Sequence, residues 1–236
     1  MELNRRVAAI DTLPIRRVAW RPAYRIVPER FPPIDLFERV ADSADWDAVI
    51  IVESLTNDRL RSEIGELSLV APEDRVSGAD ASYIMAPFTH PAPGGGRFTD
   101  ATVGAYYAAR AEDTAIAETR YHRERFLRAT QLPPMELPMR VLTATLDGRL
   151  HDLRGLRSQL PDVYAADEYD ASQRLAAALR ARRSWGVAYD SVRDPEGQCA
   201  AAFRPPVLSH CRQTRHLAYR WDGARITTVL EQRLRA

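Results

Sequence analysis

The chain has 236 residues, with 33 basic and 32 acidic side chains and a net charge of +1. At ~150 residues per domain this is one large domain or two small ones, able to bury roughly 70–75% of the surface its unfolded form exposes. Its 45% apolar and 28% charged composition excludes global disorder. The charge balance excludes a basic nucleic-acid field or an acidic tail, and the longest strongly apolar run, Ala48–Val52, is far below the ~20 residues of a bilayer span.

In chain order, Val18–Val27 reads as a strand running into prolines. Ile34–Ser43 has a helical apolar face. Asp45–Ile64 reads as continued helix or, over Ala48–Val52, as a buried strand; periodicity does not separate the two. Pro87–Asp100, with its prolines and Gly94-Gly95-Gly96, reads as loop. Val103–Ala109 is a short aromatic strand, and Glu112-Asp113-Thr114 start a helix over Ala115–Arg128, acids at its positive end. Arg140–Leu153 predicts a hairpin around Asp147-Gly148. Tyr169–Arg182 is a helix, broken by Trp185-Gly186. Gly186–Asp190 and Gln198–Phe203 are strands, and His216–Trp221 with Ala224–Leu230 is a hairpin around Asp222-Gly223. Strands and helices mix without regular alternation, so the fold class is α+β rather than doubly wound.

All 33 basic residues are arginine. The missing lysine excludes a Walker-type phosphate loop, the protein-kinase strand Lys and Schiff-base chemistry. Arginine must then supply all cationic recognition, and its flat fork suits pyrophosphate. The glycines lack the G-x-G-x-x-G spacing of a dinucleotide fold. Cys199 and Cys211 cannot make a disulfide framework, and no apolar stretch follows Met1–Arg6, so a reducing cytoplasm is expected. Cys199, His210, Cys211 and His216 are the most metal-like grouping, but their spacing matches no common zinc pattern. Glu63 with Glu66, and Glu112 with Asp113, read as solvated helix residues rather than a catalytic pair.

Gly94–His122 stands out. It sets an arginine after glycines, an aromatic pair on a strand and a glutamate in the first turns of a helix. Glycines allow close approach of a ligand, Arg97 can pin phosphate oxygens, and Tyr107 can stack on a planar ring. Glu118, among small residues, can stabilise an oxocarbenium ion. On residues alone this stands level with a plainer account. In that account Arg97 is a surface charge, Tyr107 is a core aromatic and Glu118 pairs with His122 or Arg125.

The stretch resembles the RES domain, named for its Arg, Glu and Ser. The family pattern runs Gly-Arg-aromatic, then ten residues to a strand Tyr and eleven to a Glu in an A-x-A-E run. Here Arg97, Tyr107 and Glu118 keep that spacing, with Ala115-Ile116-Ala117-Glu118 as the run. The family's early Tyr-Arg pair is matched by Tyr24-Arg25, and its late serine by Ser191 before Arg193. Phe98 replaces the more usual Trp, Thr99 stands where Asn is common, and the stretch between first strand and glycine loop is longer than in compact members.

The resemblance implies one catalytic domain over residues 1–236, its core at about 18–232, with a split mixed sheet like that of diphtheria-toxin-type ADP-ribosyltransferases. It implies a cytoplasmic toxin of a type II toxin–antitoxin pair that uses NAD as substrate, without a metal. Cleavage of the nicotinamide–ribose bond would pass ADP-ribose to a protein, phosphate or water. Arg25 and Arg97 would meet the pyrophosphate, and Tyr107 would stack on nicotinamide. Glu118 would stabilise the transition state, Ser191 would orient ribose or nicotinamide, and Tyr24 would support the wall. The implied partner is an antitoxin with a helix-turn-helix DNA-binding part, so this chain itself would touch neither DNA nor membrane. Two other readings stand beside it: a non-catalytic interaction domain, and a metal-dependent hydrolase using Cys199, His210, Cys211 and His216.

Overall fold

The computed structural model describes residues 12–29 and 65–232, so the elements expected over Ile34–Ser43 and Asp45–Ile64 lie outside it. In chain order the elements are β1 (Ile15–Pro28), α1 (Ala81–Thr89), β2 (Tyr106–Ala109), α2 (Glu112–Thr130) and β3 (Met135–Asp152). Then come α3 (Asp170–Ala181), β4 (Gly186–Asp190), β5 (Gln198–Ala202), β6 (Leu208–Trp221) and β7 (Ile226–Gln232).

The strands form one mixed seven-stranded sheet in the order β1-β2-β5-β4-β3-β6-β7. The α+β class is as expected. β3 organises the sheet. On one edge it runs antiparallel to β1, from His151 opposite Ile15 to Met139 opposite Pro28. On the other it pairs with β6 as far as Leu146, then takes β4 in parallel at His151 and Asp152. The sheet therefore divides along β3. β1 also reaches β2 at Tyr24 opposite Ala109, so β1, β2, β5, β4 and β3 close a ring. The β1 ladder shifts register between Trp20 and Ala23, at Pro22, which has no N–H to give.

The hairpin expected at Asp147-Gly148 is absent. Both residues sit inside β3, opposite Ala19 and Val18. Glycine is needed there for another reason: a Cβ would lie 2.7 Å from Val207 Cγ1. Asp147 accepts bonds from Arg17 at 2.7–2.8 Å and from Arg21 at 3.2 Å, which hold its carboxyl down at about 2. The β6–β7 hairpin at Asp222-Gly223 does form; Asp222 Oδ1 accepts the N–H groups of Ala224 and Arg225.

Helix α1 is a second departure, because Pro87 lies inside it, in a stretch that reads as loop. An interior proline costs about 3 kcal/mol. Burial of Ile84, Met85 and Phe88 in the core offsets it, at ~1.5–3 kcal/mol for each large side chain.

Strand alternation builds two cores. Tyr106, Ala108, Ala188, Ala200 and Ala202 face one, with α1. Ala109, Val187, Tyr189, Cys199 and Ala201 face the other, where Ala115 and Leu127 of α2 and Ala176 and Leu179 of α3 pack. Helix α2 buries only Thr114, Ala115 and Leu127. Much of its remaining surface is left for a ligand or for solvent. No helix among the described residues is long and apolar enough to cross a membrane.

Candidate active site

The glycine loop folds back on itself. Gly96 N–H donates to Thr99 O at 2.7 Å, and Gly95 sits at φ +62°. A Cβ on Gly95 would lie 2.5 Å from Thr99 O, and one on Gly96 would lie 2.9 Å from the Tyr107 hydroxyl. The glycines thus serve the turn's own packing. Tyr107 Oη accepts the Phe98 N–H at 2.9 Å and bonds Thr99 Oγ1 at 3.2 Å, tying β2 to the turn. Phe98 is fully buried, its ring edge-on to Tyr189 with centroids 4.9 Å apart.

Arg97 is not a surface charge: it is 8% exposed. Its Nη1 donates to Val163 O and Ala165 O, both at 2.8 Å, and the guanidinium lies 4.9 Å from the Tyr169 ring centre. Arg25, partly buried on β1, donates from Nη1 to Tyr107 O at 3.1 Å and lies 4.9 Å from the Tyr106 ring centre. Burial pulls its pKa down from the usual arginine value.

Glu118 does not pair along its helix. Its Oε1 accepts the Ser191 hydroxyl at 2.6 Å and lies 3.9 Å from Cys199 Sγ. Ser191 Oγ in turn accepts the N–H groups of Arg193 at 3.1 Å and Asp194 at 3.0 Å, so its single hydrogen is left for the carboxylate. No described residue bonds Glu118 Oε2. Thr114 Oγ1 donates to Asp194 at 2.6 Å and buttons the same turn to the start of α2.

Tyr24, Arg25, Arg97, Tyr107 and Glu118 all line one cavity of about 660 Å³. Ser191, fully buried, is not in its wall. The structure places it behind Glu118 rather than against the space a ligand would fill. The cavity also takes Tyr169 and Tyr189, which read in sequence as helix-start and strand residues, and Cys199, which the sequence singles out only within the metal-like grouping. Along α2, Glu118, His122, Arg125, Phe126 and Ala129 line it at helical spacing, a period legible in the sequence once Glu118 is chosen.

The lining is strongly cationic. Among the described residues, Arg25, Arg97, Arg123 and Arg125 stand against Glu118, the one acid in the wall. His122 at the mouth is neutral at pH 7. Lost hydration, then Arg193, Arg123, Arg125 and Arg97, bring its pKa to about 4. Burial also pushes the Tyr189 hydroxyl and the Cys199 thiol well up, and Glu118 adds to both.

The four residues of the metal reading are not brought together. Cys199 sits by Glu118, and Cys211 bonds the Tyr106 hydroxyl at 3.4 Å. His210 bonds Ser209, while His216 pairs with Glu29 at 2.7 Å and with Gln213. Among the described residues no three His, Cys, Asp or Glu side chains form a metal-holding group. Glu112, half-buried, pairs with Arg215, and exposed Glu66 bonds Ser68, while Glu63 lies outside the described residues.

Comparison with known proteins gives the following similarities. The RES domain family model matches residues 72–222, a span that holds Arg97, Tyr107, Glu118 and Ser191 but not Tyr24 or Arg25. "Uncharacterized protein y4oC" of Sinorhizobium fredii (strain NBRC 101917 / NGR234) is 33% identical over 206 residues, covering 87% of this chain and 85% of that protein. A chain of the crystal structure of the M. tuberculosis MbcT-MbcA toxin-antitoxin complex aligns with a TM-score of 0.47 and 16% identity, over 92% of each chain.

Proposed function

The chain belongs to the RES-domain family, and from the chemistry of its cavity we propose that it consumes NAD by cleaving the nicotinamide–ribose bond. One observation carries the reading: a cavity whose described wall is cationic but for one carboxylate, Glu118, held from behind by Ser191. Its volume of about 660 Å³ suits a dinucleotide or a large part of one.

NAD lies with its pyrophosphate against Arg25 and Arg97, and the nicotinamide packs on Tyr107, with Tyr24 in the adjoining wall. The C1′–N bond breaks and its electron pair leaves with neutral nicotinamide. Glu118 Oε2 accepts a hydrogen bond from a ribose hydroxyl and stabilises the positive charge that develops on the sugar. Ser191 holds Glu118 in the rotamer this requires. The acceptor then attacks the anomeric carbon: water gives ADP-ribose, phosphate gives its 1″-phosphate, and a side chain gives a modified protein.

We further propose that the chain acts in the cytoplasm as the toxin of a toxin–antitoxin pair. Its antitoxin would carry the helix-turn-helix DNA-binding part, in keeping with a toxin net charge of only +1. Membership of the RES-domain family supports this reading.

The test is nicotinamide release by purified protein, with and without phosphate and cell lysate, the products being separated. Glu118→Ala should lower kcat by a factor of about 100–1,000, the range for removal of one electrostatic stabiliser. Ser191→Ala should lose less, because the carboxylate stays and only its orientation loosens. Release at an unchanged rate from folded Glu118→Ala removes Glu118 from the chemistry. No release from the wild type favours a non-catalytic interaction domain.

A further inference from the structure

The geometry points to Gln173 and Arg180 of α3 as positioning residues that hold the glycine turn so that Arg97 meets its anion. This rests on the reading of the cavity as an NAD site. Gln173 Nε2 donates to Gly96 O and Thr99 O, both at 3.0 Å. Arg180 donates through Nη1 to Phe98 O at 2.8 Å and through Nη2 to Gly104 O at 3.0 Å. The two side chains are seven residues apart, two turns along one face of α3. Both peptide neighbours of Arg97 are therefore gripped: Gly96 by Gln173, and Phe98 by Arg180 and by the Tyr107 hydroxyl on its N–H.

A glycine-rich turn has little conformational preference of its own. Ordering it at the moment of binding would subtract from affinity, and ordering it beforehand removes that cost. Helix α3 is a fixed support, because Ala176 and Leu179 are buried in the core. Arg180 stacks 3.8 Å from the Phe203 ring centre, and burial lowers its pKa only to about 10, so it stays charged at neutral pH. The chemistry of each grip is specific. Both partners of Gln173 are carbonyls, so only the amide NH₂ serves. The span from Phe98 O to Gly104 O needs a forked donor, which lysine lacks.

The experiment measures NAD turnover, thermal melting and calorimetric binding of inorganic pyrophosphate. The variants are Gln173→Glu, Arg180→Lys and Arg180→Met, each alone and combined with Arg97→Ala. Gln173→Glu is isosteric but turns acceptors toward two carbonyls. It should raise KM for NAD, and weaken pyrophosphate, by roughly ten- to a hundred-fold, with kcat changed less. Arg180→Lys should recover only part of the loss of Arg180→Met. With Arg97 already alanine the penalties should vanish, since the turn then carries nothing to position. A merely structural role would lower the melting temperature and multiply in full onto Arg97→Ala. That result, or an unchanged KM in folded Gln173→Glu, overturns the inference. A wild type that turns over no NAD counts against the NAD reading alone, because the pyrophosphate cycle still decides whether α3 acts through Arg97.

Discussion

Around Glu118 the described buried groups add no second negative charge to the wall. Tyr189 and Cys199 are both pushed well up, chiefly by burial and further by Glu118, so they keep their protons at neutral pH. His122, one turn further along α2, is the complementary case. A protonated imidazole there would stand among Arg193, Arg123, Arg125 and Arg97 with reduced hydration. Its folded pKa of about 4 lies below the ordinary 6.5. Between those values the unfolded chain binds the proton and the folded chain does not, so folding stability falls as the pH drops from about 6.5 to 4. His122 keeps an exposed edge, and solvent screening reduces its share to about 1 kcal/mol. Urea unfolding at about pH 4.5 and pH 7 should show a smaller loss on acidification in His122→Gln than in the wild type. Equal losses would mean that the histidine titrates normally in the folded protein.

At the scale of elements, β3 owes its length to a partner far away in sequence. Asp-Gly is a strong local turn signal, yet β1 pairs across it and Val207 packs where a side chain would stand. Gly148→Ala should therefore destabilise the fold by about 1–3 kcal/mol, since a branched Val207 has little room to yield. Chemical denaturation reads this directly; no change in midpoint would show that Val207 moves freely. The same contrast explains what the sequence discloses. β2, α2, α3, β4, β5 and the last hairpin announce themselves through short aromatic or apolar runs, an acidic helix start and a turn whose N–H groups are satisfied locally. β3 and α1 do not, because long-range pairing overrides Asp147-Gly148 and core burial overrides Pro87. In the site, Arg97, Tyr107 and Glu118 are legible from family spacing. Tyr189 is hidden, because a wall residue on a strand has the same pattern as a core residue, and Cys199 stands out only in a metal-like grouping that the fold does not assemble. The position of Ser191 behind Glu118, rather than beside a ligand, follows from two backbone N–H groups that no sequence pattern records.

For the whole molecule, closure of β1 against both β2 and β3 matters most. It brings Arg25, from the first strand, to the same cavity as Arg97 and Glu118. A net charge of +1 conceals this result, because among the described residues the cavity wall has four arginines against one glutamate. Such a cavity attracts a dianionic pyrophosphate over distances comparable with the Debye length, ~8 Å at physiological salt. Two parts of that attraction respond differently to salt. Arg97 is buried and bonded to carbonyls, so its contact is weakly screened; Arg125 is exposed at the mouth and is screened fully. Raising sodium chloride from about 50 to 500 mM should increase KM for NAD several-fold and leave kcat nearly constant, since the charge acts on capture rather than on bond cleavage. Arg125→Gln should raise KM at low salt and flatten its salt dependence, whereas Arg97→Ala should raise KM at every salt concentration. A KM that does not change with salt in the wild type would mean that the arginines at the mouth serve another ligand.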